Sequence, residues 1–248
     1  MRTNNYLKYP QFPDEREAGG TPLKQLNIVL FRLLRIFNFI CEKYNIDYWL
    51  DYGTLLGAIR HQGFIPWDYD IDIGMLREDY NLFIEKGVKD LPFDIFFQNR
   101  DSDPNIGEWG FIVEGRLRDR FSNNIGAQKS KSSSTNWHNG IQLDIFVYDY
   151  DSKNGWFSNG FERILSQSRI YLKLEEIEYL DTASFEGHEF PIPIGYDSYL
   201  KRCYGDYMKL PSIEEQEKLP DIDIFNSCDH PESLIWKEFH PTKIKTSE

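Results

Sequence analysis

The chain has 248 residues, 40% of them apolar and 16% aromatic, and a formal net charge of −12. That length and apolar content exclude a disordered chain and support a sizeable core. The acidity argues against a nucleic-acid partner, which needs a basic surface, but leaves room for a small anionic substrate at a locally positive or metal-loaded site.

The N-terminus is polar and has no apolar signal region, and nothing approaches 18 consecutive apolar residues, so no transmembrane segment is expected. The protein reads as cytoplasmic, with peripheral contact at the inner face of the membrane left open. Cys41, Cys203 and Cys228 are too few and too scattered for a disulfide framework or a zinc site. Cys41 sits in an apolar helical run and reads as a core thiol.

Residues 1–20 read as an irregular leader ending at Gly19 and Gly20. Thr21 and Pro22 then supply an N-cap and a first-turn proline for a long helix with apolar residues from Leu23 to Ile40 at three- and four-residue intervals. Asn45 is its expected C-cap. "IDYWLDY" is a short strand, and Gly53-Thr54 turns the chain into the helix "LLGAIRHQ". "REDYNLFIEKGV" is helical, while "FDIFFQ", "GFIVEGRLRD" and "IQLDIFVYDY" read as strands. "NNIGAQKSKSSSTNWHNG" is a polar loop, and the pattern from Trp156 to about Glu178 is helical. Helices alternating with strands, then clustered strands, imply an α+β fold with helices packed on a mixed sheet.

The stretch with most chemical content is "GFIPWDYDIDIGML", residues 63–76, in which Asp68, Asp70 and Asp72 alternate with Tyr69, Ile71 and Ile73. In a strand this spacing puts the carboxylates on one face and the apolar residues on the other. Aspartate is a poor strand former, and two such charges 5–6 Å apart repel by roughly 3 kcal/mol at an effective dielectric of about 20. The apolar face argues for burial, so the acids require neutralisation. Mg²⁺ (or Mn²⁺), a hard cation that bridges carboxylates to phosphates, is the leading choice over a solvated charged face.

Asp144, alone between Leu143 and Ile145, is either a further ligand or general base, or a structural aspartate bonded to backbone N–H groups. Gly53 and Thr54 stand at a strand-to-helix junction, where free N–H groups and the helix dipole favour phosphate. Arg60 and His61 close that helix. Arg60 could clamp phosphate oxygens or neutralise the aspartates structurally.

Gly-Thr, then Asp-x-Asp, then a distant lone Asp on a strand is the pattern of the nucleotidyltransferase fold. "YWLDYGTLLGAIRHQGFIPWDYDIDIGMLREDY" closely resembles the LicD family and, more distantly, its fukutin relatives. "HNGIQLDIFVYD" and "YLKRCYGDYMKLP" are similar to two later family blocks, and the likeness covers roughly residues 22–210. It implies a nucleotidyltransferase-like sheet in a core spanning 21–152, with a mainly helical and irregular extension over 153–248. It also implies a metal-dependent transferase that moves a phosphorylated alcohol, typically phosphocholine from CDP-choline, onto a cell-surface glycan. The partners would be a CDP-activated alcohol donor and a glycan acceptor, a lipid-linked one included. By position Asp70 and Asp72 are the metal pair, Asp68 a close third and Asp144 the later carboxylate, while Gly53 and Thr54 lie against donor phosphates. Tyr52 stands where many relatives have a small residue, and the chain lacks the family's usual basic ending.

Arg118 is a further candidate for phosphate, or an ordinary strand-surface ion pair. His138 would touch the donor or cap its loop. For a quaternary ammonium, Trp109, Trp137, Tyr148 and Tyr150 are the aromatic candidates, each with a core reading beside it. The alternatives are a nucleotide-transferring enzyme of the same fold and a non-catalytic glycan- or nucleotide-binding relative.

Overall fold

Local signals set the first long element. In the computed structural model, which describes residues 9–124, 137–165, 169–216, 222–228, 230 and 232, α1 runs over Pro22–Tyr44. Thr21 caps it by accepting the Lys24 N–H, and Asn45 ends it in the left-handed region at φ 53°. Leu26, Leu30, Leu33, Leu34, Phe37 and Ile40 are fully buried along one stripe, each stabilising by about 1.5–3 kcal/mol.

That stripe packs within the core that covers a 7-stranded sheet. Its strands are β1 (Trp49–Leu50), β2 (Ile71–Leu76), β3 (Ile95–Gln98), β4 (Gly115–Asp119) and β6 (Gln142–Asp151), in the order β1-β2-β6-β4-β3. β7 (Trp156–Ser158) pairs with the end of β6, and β8 (Tyr171–Leu172) pairs with β7. Only the central β2–β6 pairing within this sheet is parallel. The α+β class and its mixed sheet are therefore as the sequence implied.

The helices α2 (Tyr52–His61) and α3 (Arg77–Leu82) flank β2, and α3 continues through a π-turn over Phe83–Gly87. Short helices follow at α4 (Trp109–Ile112), α5 (Gly160–Leu165) and α6 (Leu174–Ile177), before α7 (Tyr196–Tyr204). Outside the sheet, β5 (Asn123–Asn124) pairs with β11 (Ile222–Asp223), and β9 (Leu180–Phe185) with β10 (His188–Pro193). Among the described residues no helix is long and apolar enough to cross a membrane.

Three readings need correction. "GFIVEGRLRD" is not one strand, because residues 109–112 make a helical turn and extension begins at Gly115. Among the described residues of 156–178, helix is confined to α5 and α6, and Trp156–Ser158 is drawn into extension by pairing on β6. The β9–β10 hairpin occupies a stretch for which the periodicity offered no element; Phe185 and Phe190 bury it against Phe31 of α1. Most of the polar loop, residues 125–136, and most of the tail beyond 216 lie outside the described residues.

The described part of the N-terminal stretch is irregular apart from a short turn at Arg16–Gly19, yet it is anchored. Arg16 is 1% exposed, pairs with Asp14 and Asp119 at 2.7 and 2.8 Å, and donates to the carbonyls of Phe121 and Ile224.

Candidate active site

The alternating aspartates do not all lie in a strand. Pro66 and Trp67 form a turn closed by the Asp68 N–H donating to Ile65 O, and the ladder begins only at Ile71. Asp68 and Asp70 thus approach β2 through irregular chain, and Asp72 is the one held by sheet pairing. The parallel β2–β6 register places Asp72 beside Asp144, and the antiparallel β6–β4 register places Asp144 beside Arg116. Acid, acid and base therefore form one row across three adjacent strands. Residues opposite one another in register present side chains to the same face.

Each member of the row is fixed. The Asp72 N–H donates to Thr54 Oγ1 at 2.8 Å, and the Asp51 N–H donates to Asp72 O at 3.0 Å, stitching the start of α2 to the start of β2. Arg116 Nε lies 3.0 Å from Asp144 Oδ1 in an ion pair that lacks hydrogen-bond geometry. Gln142 Nε2 donates to the other oxygen at 3.0 Å. Asp51, fully buried, caps α2 by accepting the Tyr52 N–H and takes hydrogen bonds from the hydroxyls of Tyr148 and Tyr199 at 2.7 and 2.8 Å. Burial pushes its carboxyl up to about 6, although those donors pull the other way.

The row forms part of the wall of a cavity of about 1680 Å³. Gly53, Asp68, Asp70, Asp72 and Asp144 line it together, as do Arg60 and Arg118. Gly53 is close to the acids: a methyl group on it would stand 2.8 Å from Asp68 Oδ2. The end of α7 and the residues after it also line the cavity, through Tyr204, Asp206 and Tyr207 of "YGDY", and Tyr207 O accepts from Arg60 Nη1 at 2.7 Å. Arg60 Nε donates to His61 Nε2 at 2.9 Å, and burial and that neighbouring charge push the His61 imidazole down.

Thr54, His61 and His138 do not line the cavity. Thr54 stands behind Asp72 as the acceptor just described. His138 is buried in a stack between Phe96 and His230, at 3.6 and 3.8 Å between ring centroids, and its N–H donates to Asp103 Oδ2. Burial holds its imidazole below the ordinary value despite Asp103. Of the aromatic candidates, Trp109 and Trp137 line the cavity. Tyr148 is committed to Asp51, and Tyr150 is exposed and packs on Phe157.

The acids are the residues that could hold a dication. Burial, then the charges of Asp70, Asp144 and Asp68, push the Asp72 carboxyl well above the carboxylate range. Arg116 contacts Asp144, and among the described residues no ion pair is formed by Asp72. A half-buried set of carboxylate oxygens with surplus negative charge has the donor chemistry of Mg²⁺ or Mn²⁺. His138, His230 and Glu232 are also spaced to share an ion. There, however, Arg120 lies 3.4 Å from His138 Nε2 and 3.2 Å from Glu232 Oε1, so a cation is already present.

Sequence reasoning missed Arg116 and Asp51. Arg116 alternates with Arg118 in "GRLRD" just as the aspartates alternate, a signal for one sheet face. Asp51 directly precedes the helix start, the usual place for a cap.

A profile of the LicD/FKTN/FKRP nucleotidyltransferase domain matches residues 45–194. The chain is 25% identical over 260 aligned residues to a lipopolysaccharide cholinephosphotransferase LicD from Haemophilus influenzae, covering 79% of this chain and 94% of that protein. It is 52% identical over 40 residues to the human ribitol 5-phosphate transferase FKRP, a match to 16% of this chain and 8% of that protein. An uncharacterized Rickettsia prowazekii protein is 52% identical over 50 residues, 20% of this chain and 19% of its own. A family match over more than half of the chain, on the elements that build the aspartate row, shows that the chain belongs to the LicD/FKTN/FKRP family.

Proposed function

We propose that this protein is a LicD-type phosphotransferase acting on cell-surface glycans. In this reading it moves a phosphorylated alcohol, first of all phosphocholine from CDP-choline, onto a sugar hydroxyl. The observation that carries the reading is the Asp72–Asp144–Arg116 row beside Asp68, Asp70 and Gly53 on one cavity. The relation to a cholinephosphotransferase over most of both chains supports the choice of group.

Asp70 and Asp72, with Asp68 and Asp144, are the residues that would hold Mg²⁺ or Mn²⁺, which when bound neutralises donor phosphate charge. Thr54 and the Asp51 N–H hold the Asp72 backbone, and Arg116 and Gln142 hold both oxygens of Asp144, so the Asp72 backbone and the Asp144 carboxylate are set before substrate arrives. Gly53, without a side chain, lets the donor phosphates approach the start of α2, and Arg60 and Arg118 offer guanidinium donors to their oxygens. Tyr204, Asp206 and Tyr207 add a further part of the cavity wall, available to the acceptor.

The test is CMP release from CDP-choline, CDP-ethanolamine, CDP-glycerol and CDP-ribitol, with Mg²⁺ and a lipopolysaccharide or teichoic-acid acceptor. CMP from at least one donor, lost in Asp72→Asn, is expected. Absence of CMP from every donor, or addition of a whole nucleotide to the acceptor by mass, overturns the reading.

A further inference from the structure

β4 places a second charge on the same sheet face, and its pairing is incomplete. Arg116 and Arg118 lie two residues apart, opposite Asp144 and Gln142 respectively. Arg116 is engaged by Asp144. Arg118 is 4% exposed and lines the cavity. Its Nε donates to Gln98 Oε1 and its Nη1 to Gly140 O, both neutral acceptors. Among the described residues no carboxylate reaches ion-pair distance of it. Trp137, also on the cavity wall, has its ring centre 5.3 Å from the guanidinium carbon.

Burying a guanidinium on neutral partners alone is costly, because neutral acceptors replace water poorly for a full charge. The neighbouring acids Asp119 and Asp144 pair with Arg16 and Arg116. An anion entering the cavity would supply the missing charge, and a planar fork with unspent donors suits phosphate oxygens. We propose that Arg118 is the base of a phosphate-ester subsite that fills without a divalent cation. The subsite deepens the function proposed above and rests on it for the identity of the ligand, while its binding in EDTA is read separately from CMP release.

Phosphate esters come from two sides, the nucleotide of the donor and a phosphorylated acceptor. The whole chain, kept in EDTA, is titrated by calorimetry with inorganic phosphate, CMP and glycerol 1-phosphate. The wild type binds at least one of them. Arg118→Met weakens that binding about tenfold or more, the loss expected for a charge-assisted pair. Tighter binding of CMP than of glycerol 1-phosphate assigns the subsite to the nucleotide, and the reverse order assigns it to the acceptor. If Arg118→Met does not fold, Arg118→Lys, which keeps the charge and loses the fork, binds several-fold more weakly than wild type. No binding by the wild type in EDTA, or affinity unchanged in the variant measured, overturns the proposal.

Discussion

Arg16 and Arg118 are both buried, and the fold treats them in opposite ways. Arg16 meets two carboxylates and two carbonyls, and despite burial Asp119 and Asp14 hold its charge above the ordinary arginine value. Arg118 meets a glutamine and a carbonyl, and burial, then the neighbouring charge of Arg116, lowers it to about 9. Asp72 is in the complementary position, an acid crowded by acids. A saturated charge network ties chain segments together, whereas the charges left unbalanced around one cavity are those the proposals above assign to a ligand.

Asp72→Asn breaks the unbalanced side most directly. Transfer activity should fall by about 10³-fold, equivalent to about 4 kcal/mol of barrier. Because the Asp72 carboxyl is raised, its ionised form costs stability at every pH above the unfolded value. The asparagine variant should therefore melt at the same or a higher temperature than wild type in EDTA, and Mg²⁺ should no longer raise its melting point. A variant that melts lower in EDTA, or is still stabilised by Mg²⁺, would place Asp72 among the saturated charges.

Arg16→Met probes the saturated side. It strands Asp14 and Asp119 as buried carboxylates, so urea unfolding should show a loss of about 3–5 kcal/mol, with activity per folded molecule retained. A loss below 1 kcal/mol would put the anchor on the same footing as an exposed ion pair.

Asp51 separates the two behaviours within one residue, since it is fully hydrogen-bonded and still raised to about 6. A raised carboxyl binds its proton more tightly in the folded state, so stability falls as pH rises from about 4 to about 6 and is level above that. A shift of about two pH units corresponds to about 3 kcal/mol. Denaturation of wild type and Asp51→Asn across pH 4–7 should show the wild type losing that amount relative to the variant. Parallel curves would mean that the tyrosine hydroxyls fully offset burial.

The smallest effect is expected for Gly53→Ala. The methyl group meets the flexible end of Asp68 and not backbone, so melting should hardly change. Donor KM should rise several-fold because Asp68 moves in the cavity. An unchanged KM would remove Gly53 and Asp68 from the donor's surroundings.

Elements whose causes lie within a few residues are legible in the sequence. Thr21, Pro22 and Asn45 bound α1 where expected, because a cap is a contact across three or four residues and a helical stripe repeats on the same scale. The α+β class and its mixed sheet were likewise legible, through helices alternating with strands. Tertiary structure alone decided that β2 starts at Ile71, that Trp156–Ser158 extends along β6, and that His138 is stacked away from the cavity between Phe96 and His230. It alone also placed Arg116 against Asp144 and left Arg118 with neutral partners. Strand register brings together residues dozens of positions apart, and which of two alternating arginines meets the acid depends on that register, for which no local propensity codes.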